Sequence, residues 1–333
     1  MRVGIIGAKL QGGRRAPVVY NFPDTELVVV SDANKEVAQT LASKFGCEAA
    51  VGWEPVVKRS DLDAVVVCTP PDLHAPISIA AMENGMHVLC EKPLARTVEE
   101  AEAMLKAAQV NGVKLKCGFN HRCHPAIQKA KEFVDQGKIG EPSFVRCRYG
   151  IGARPGYENE WRADPQIVSG GQLMEQGIHA VDLSRWFLGE FAEVAAFKAN
   201  YFCNIQPLED NAFVLMRTKT GKVAFIHSSL TQWKNLFSFE VSGIEGYLIA
   251  EGLGGSYGNE HLIFGRKDYF KPFTEEIIEF RGEDRSWLEE WKEFVACIKE
   301  NREPLGNGYD GLIAIQLVNA AYESDRKHSF VTL

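Results

Sequence analysis

The stretch from Ile167 to Leu183 places Gly170 and Gly171 ahead of Glu175, His179 and Asp182. In a helix, residues four apart project from one face, so Glu175 and His179 would share a face, with Asp182 a further turn along. An imidazole beside two carboxylates can take up and return a proton near neutral pH. The same grouping also occurs as a satisfied surface cluster, with Leu183, Trp186 and Phe187 packing the helix behind it. Its weight comes from the other half of the chain, where Glu91-Lys92-Pro93 and a glycine-rich turn lie. Together the two halves point to hydride and proton transfer.

Glu91-Lys92-Pro93 and Thr69-Pro70-Pro71 each close a short apolar run that reads as a strand. In an open α/β sheet, ligands bind beyond the carboxyl ends of the strands, near the switch in strand order. A lysine at such an end, fixed by a following proline, suits proton exchange with a substrate hydroxyl. The alternative is a solvated surface lysine, the commonest fate of that residue.

Gly7 ends the first strand, and Gly12 and Gly13 lie where the next helix should begin. A glycine-rich turn into a helix N-terminus lets backbone N–H groups approach a pyrophosphate. Gly7 and Gly12 fit the outer glycines of G-x-G-x-x-G, but the middle position is Lys9. Lys9 either displaces the loop or pairs its ammonium with a phosphate. Asp32 ends the second strand, where a carboxylate would accept hydrogen bonds from the adenosine ribose hydroxyls and repel a 2′-phosphate. That favours NAD, with NADP left open by Arg14, Arg15 and Lys35; the plain alternative is that Asp32 caps the helix starting near Asn34.

The elements that must position these residues follow from periodicity. Val3 to Ile6, Leu27 to Val30, Ala64 to Cys68, Met86 to Cys90 and Val113 to Cys117 read as strands buried on both faces. A helix between the last two starts with Thr97 and Glu100 at capping-box spacing, followed by a stripe of Ala101, Met104, Leu105 and Ala108. Alternating strand and helix implies a parallel sheet covered on both faces. After Gly118 the pattern changes. A helix from Pro125 to Gln136 is followed by a strand from Phe144 to Tyr149, and Phe213 to Arg217 pairs with Lys222 to His227 across a turn at Gly221. Phe237 to Val241 and Tyr247 to Ala250 form another hairpin, and helices near Arg285 to Lys299 and Gly308 to Ser324 close the chain. The second half is therefore α+β, with a mostly antiparallel sheet and helices on one face.

At 333 residues, with 45% hydrophobic and 24% charged residues, the chain suits two soluble domains. The net charge of −7 argues against a nucleic-acid surface. No apolar run approaches a membrane span, and Met1 leads straight into a strand, without a leader pattern. None of the eight cysteines forms a Cys-x-x-Cys pair, so a reduced, cytoplasmic protein without structural zinc is expected.

In these motifs, and over nearly its full length, the chain resembles the glucose–fructose oxidoreductase, inositol dehydrogenase and MocA (Gfo/Idh/MocA) family of nicotinamide-dependent oxidoreductases. Gly7 and Gly12 match its dinucleotide loop, Thr69-Pro70-Pro71 with His74 a strand-end motif, and Glu91-Lys92-Pro93 its hallmark. Gly118-Phe119-Asn120 with Arg122 resembles the crossing into the second domain; Gly170-Gly171 through Gly177, His179 and Asp182 resembles the substrate-domain helix; and Gly243-Ile244-Glu245-Gly246 resembles a turn of its open sheet.

The resemblance implies an α/β Rossmann-type, doubly wound parallel sheet over residues 1–120. An α+β domain with a large, open, mostly antiparallel sheet would follow over 121–333. It implies that Lys92 is the central catalytic residue, with His179 as proton acceptor or donor, and that the bond before Pro93 is cis. The family usually has aspartate where this chain has Glu175, whose extra methylene either preserves the orienting role or redirects it. Cofactor contacts are expected from Gly7, Lys9, Leu10, Gln11, Gly12, Asp32, Thr69, Pro70, His74, Glu91, Lys92 and Asn120. Substrate contacts are expected from Lys92, Arg122, Tyr157, Trp161, Arg162, Glu175 and His179. Arginine, tyrosine and tryptophan suit a polyhydroxylated ligand, offering donors to hydroxyls and flat faces to rings, although Tyr157 and Trp161 would also serve simply to pack a loop. His121 and His124 are three apart, but the resemblance supplies no metal and none is expected.

The reading is thus an NAD(P)-dependent dehydrogenase or reductase acting on a sugar, inositol or related cyclic polyol. The alternatives are a reductase or dehydrogenase of a non-sugar carbonyl or diol, and a non-catalytic nicotinamide-binding regulatory protein. The resemblance further suggests a homodimer or homotetramer that covers the open sheet, with Phe213, Leu215, Phe225, Phe237 and Phe239 as candidates for its two faces.

Overall fold

The computed structural model describes residues 1–270 and 274–333. The chain forms two compact units, Met1–Phe119 with Trp287–Ile315, and Asn120–Ser286 with Gln316–Leu333.

The first unit alternates strand and helix: β1 (Arg2–Ile6), α1 (Leu10–Asn21), β2 (Glu26–Asp32), α2 (Lys35–Phe45), β3 (Glu48–Val51), α3 (Glu54–Val57), β4 (Ala64–Val67), α4 (His74–Glu83), β5 (His87–Cys90), α5 (Val98–Asn111) and β6 (Leu115–Cys117). The six strands run in the order β3-β2-β1-β4-β5-β6, each pair parallel. The order reverses between β1 and β4, the crevice where doubly wound sheets take ligands. Ala64–Val67 is wholly buried, as expected of a strand with helices on both faces. β3 was not foreseen. Its Glu48-Ala49-Ala50-Val51 is an edge with three exposed residues, so it lacks the apolar run that betrays the inner strands. The α5 start is capped as expected on one side only: Thr97 Oγ1 accepts from the Glu100 N–H at 3.1 Å, while Glu100 takes the Arg96 N–H at 3.0 Å.

The second unit opens with α6 (Pro125–Asp135) and β7 (Pro142–Gly152), then α7 (Ile178–Leu188) and β8 (Phe191–Ala199). The strands β9 (Asn211–Thr218), β10 (Val223–Ser229), β11 (Thr231–Gly243), β12 (Gly246–Glu251), β13 (Glu260–Arg266) and β14 (Glu275–Phe280) follow. The chain closes with α8 (Ser286–Glu300), α9 (Gly308–Lys327) and β15 (Val331–Thr332). The nine strands form one sheet, β14-β13-β12-β11-β7-β10-β9-β8-β15, antiparallel at every pairing except β7 with β10. Both predicted hairpins are present, pairing Leu215 with Phe225 and Val241 with Leu248. Alternation sorts the candidate phenylalanines. Phe237 and Phe239 are in the core at 1% exposure each, whereas Leu215 is 49% and Phe197 72% exposed on the opposite face.

Trp291, Phe294 and Val295 of α8 belong to the first unit, where they join Val3, Ile5, Val30 and Leu89 in one core cluster. No helix among the described residues is long and apolar enough to cross a membrane.

Candidate active site

In the first unit, the site is built at the carboxyl ends of β1, β4 and β5. Gly7 turns with φ +99°, and a Cβ on Gly12 would stand 2.0 Å from the Gly7 carbonyl oxygen, so only glycine lets α1 start this close to the strand. Lys9 occupies the N-cap, and no side chain satisfies the first amides of α1. Asp32 accepts from the Ala8 N–H at 2.9 Å with one oxygen and from the Asn34 N–H at 3.0 Å with the other. It therefore braces the loop, and the cap of α2 is Asn34, whose side chain accepts from Val37 N–H. Each Asp32 oxygen keeps a lone pair for a further donor. Gln11 Oε1 and Thr69 Oγ1 are buried without a hydrogen-bond partner among the described residues, as polar atoms are when a ligand completes them. These features fit a dinucleotide lying across the N-terminus of α1.

The expected roles of three basic residues divide here. Arg14 and Lys35 are exposed, whereas Arg15 is 1% exposed and ion-paired with Glu91 at 2.7 Å and Glu290 at 2.5 Å. Arg15 is thus spent inside the fold and not available to a 2′-phosphate. The Glu91 side chain, expected at the cofactor, is likewise 4% exposed against Arg15. His74 is 1% exposed, with both ring nitrogens occupied by backbone carbonyls: Nδ1 lies 2.7 Å from Pro93 O and Nε2 2.8 Å from Thr69 O. Lys92 is half-buried, and the Lys92–Pro93 bond is cis, as the resemblance implied.

In the second unit, the helix expected across Glu175, His179 and Asp182 begins differently. Leu173–Gly177 is a turn of π-helix, and α7 starts at Ile178. Ahead of this turn stands Glu209, a buried carboxylate missed in the sequence, which takes the N–H groups of Gly171 at 3.1 Å and Leu173 at 2.9 Å and the hydroxyl of Tyr322 at 2.9 Å. Burial pushes the Glu209 carboxyl above its ordinary range. The wider turn swings Glu175 around the axis from where an α-helix would place it, and its carboxylate meets Arg162 Nε at 3.2 Å.

His179, 3% exposed, lies face to face with His121 at 3.8 Å between ring centroids and 17° between planes. His121 in turn reaches Asn120 Oδ1 at 3.2 Å and Tyr149 OH at 3.0 Å, and Tyr149 OH reaches Tyr257 OH at 3.4 Å. Burial holds the Tyr149 phenol well above its ordinary value, so it stays protonated. Nothing in the sequence marked His121 as a neighbour of His179, since 57 residues of sequence separate them.

Other expected substrate contacts have structural partners. Arg122 is 3% exposed and grips Asp182 through two bonds, at 2.8 and 2.6 Å, which ties the segment after Asn120 to α7. Tyr157 is 5% exposed in a small core with Val168, Cys203, Ile205, Leu208 and Leu230, against which Trp161 packs; this matches the packing alternative. Arg162 lies over the Trp161 ring at 4.4 Å while holding Glu175. His124 pairs with Glu260 at 3.1 Å. The eight cysteines are all free.

Comparison with known proteins matches residues 1–119 to the sequence model of the Gfo/Idh/MocA oxidoreductase family, described as an NAD-binding Rossmann fold. Residues 127–249 match a Gfo/Idh/MocA C-terminal domain. The chain is 30% identical over 285 residues to levoglucosan dehydrogenase of Pseudarthrobacter phenanthrenivorans, covering 75% of this chain and 73% of that protein. It is 30% identical over 329 residues to inositol 2-dehydrogenase of Rhizobium meliloti, covering 97% and 96%. The solved structure of a levoglucosan dehydrogenase in complex with NADH and levoglucosan superposes with a TM-score of 0.92 at 26% identity, over all of this chain and 99% of that one. With both halves matched and relatives spanned almost end to end, the chain belongs to the Gfo/Idh/MocA family of NAD-binding oxidoreductases.

Proposed function

We propose that this protein transfers hydride between a nicotinamide cofactor and a secondary alcohol or ketone of a sugar, inositol or related cyclic polyol. The observation that carries the reading is Lys92 at the β5 end beside a braced dinucleotide loop in the first unit, and the second unit by itself supplies a buried His179 at the start of α7. The relatives named as levoglucosan and inositol dehydrogenases support the substrate class.

Bound NAD supplies the hydride acceptor, or in its reduced form the donor. The chain's own residues supply position and proton transfer. Lys92 or His179 takes the proton from the carbinol oxygen as hydride leaves, and returns it in the reverse direction. Glu175, held by Arg162, orients the polar end of the substrate. Asp32 selects NAD over NADP because its carboxylate would repel a 2′-phosphate. The first unit, Met1–Phe119 with Trp287–Ile315, serves the cofactor and the second serves substrate and oligomer contacts, with Phe197 and Leu215 on an exposed sheet face that a second copy covers in a homodimer or homotetramer.

The deciding experiment is calorimetric binding of NADH and NADPH, followed by turnover of a panel containing myo-inositol, levoglucosan and common aldoses. Selective NADH binding and NAD-dependent oxidation of a panel member are expected. NADPH preference would transfer the ribose-end role to Arg14 or Lys35, and binding without turnover of any polyol or aldose would refute the substrate class.

A further inference from the structure

Lys92 sits between two residues that the first unit grips from separate directions. Before it, Glu91 is fixed by Arg15. Arg15 Nε and one terminal nitrogen both donate to Glu91 Oε1, at 2.9 and 2.7 Å, and the other terminal nitrogen donates to Glu290 Oε2 at 2.5 Å. All three side chains are at least 95% buried, and the guanidinium lies 4.5 Å over the Trp287 ring. The space around this fork is closed, since a Cβ on Gly118 would come within 3.1 Å of Glu91 and 3.3 Å of Arg15.

After Lys92, Pro93 is fixed by His74. The ring of His74 spans from Pro93 O at 2.7 Å to Thr69 O at 2.8 Å, joining the chain that leaves β5 to the chain that leaves β4. Both partners are carbonyl oxygens, so the neutral ring, which burial favours, donates its one N–H to one of them, and only the imidazolium would donate to both. Pro93, Leu94 and Ala95 beyond it are buried, which leaves the turn no slack in that direction.

A lysine has four rotatable bonds, and a proton-transfer group loses rate steeply when its anchor drifts by about 1 Å. Two separate buried devices thus converge on the residues that flank Lys92. We propose that Arg15 and His74 are positioning residues for the reaction: through Glu91 and Pro93 they hold the Lys92 backbone from both sides. This rests on the proton-transfer role proposed for Lys92.

The test uses the full-length protein, NAD and the panel member turned over fastest, comparing wild type with His74→Leu, His74→Asn and Glu91→Gln. His74→Leu removes the ring and its N–H donor and is expected to lower kcat by about tenfold or more. NADH affinity and KM should stay within about twofold, and the kinetic isotope effect of carbinol-deuterated substrate should rise as the chemical step becomes limiting. His74→Asn keeps an amide nitrogen where Nδ1 was, able to donate to Pro93 O, and should recover most of the loss. Glu91→Gln keeps one acceptor for Arg15 and should fall between. Wild-type kcat and isotope effect in a folded His74→Leu would overturn the inference. So would equal losses in the Leu and Asn variants that merely track a fall in Tm. Should His74→Leu not fold, His74→Asn and Glu91→Gln decide on the same readouts, wild-type values in both being the refuting result. Lys92→Met separates this from the underlying reading: turnover retained there removes the role of Lys92 itself, whereas a dead Lys92→Met beside unaffected flanking variants removes only the positioning devices.

Discussion

Under the proposed mechanism, Lys92→Ala lowers turnover by roughly 10²–10⁴-fold, the usual worth of a placed acid–base group. Near-wild-type turnover in a folded variant would sink the assignment. Glu209 supplies a second residue-scale test. Burial raises its carboxyl above the unfolded value, so the folded chain binds its proton more tightly than the unfolded chain does. Its contribution to stability must therefore improve as pH falls through the folded value, and Glu209→Gln has no such titration. The stability of wild type relative to Glu209→Gln should shift towards wild type on acidification, and a shift in the other direction in urea melts would contradict this. The places of Lys92 and Asp32 at strand ends and of His179 on a helix were legible because strand ends and motif spacing are local properties. The partners of Arg15, His74 and His121, and Glu209 altogether, were not, since each contact joins residues distant in sequence. Arg15 reaches Glu91 and Glu290, and Glu209 reaches Gly171 and Tyr322.

At the scale of elements, the loop from β1 to α1 makes the sharper claim. Gly12→Ala would drive a methyl into the Gly7 carbonyl, so the helix must retreat from the strand end. NADH affinity should fall by about tenfold or more while the fold survives. Unchanged NADH affinity would mean that this loop does not cradle the phosphates. The apolar cores of β1, β2, β4 and β5 and both hairpins of the second sheet could be read from periodicity alone. β3 could not, being an exposed edge, and neither could the π-turn ahead of α7, whose Leu173 N–H goes to the side chain of the distant Glu209.

At the scale of the whole molecule, the nine-stranded sheet shows solvent a face carrying Phe197 and Leu215. Light scattering should report a dimer or tetramer at micromolar concentration, and Phe197→Glu with Leu215→Glu should lower the mass to that of a monomer. A wild-type monomer would remove the oligomer from the proposal. The alternation that sorts Phe239 inward and Leu215 outward was visible in the sequence, but which set faced the core required the register. The return of Trp287–Ile315 to the first unit bears on how the protein is made. Trp291 and Phe294 complete the core around β1, and Glu290 completes the charge around Arg15, yet the ribosome reaches them only after β7 to β14 of the second sheet have been synthesised. The segment Met1–Phe119, which emerges first, must therefore wait, with a buried arginine lacking one of its two carboxylates, until Glu290 has left the exit tunnel. Chaperone dependence and sensitivity to a premature stop codon should thus concentrate at α8, far along the message from the β1 core it completes.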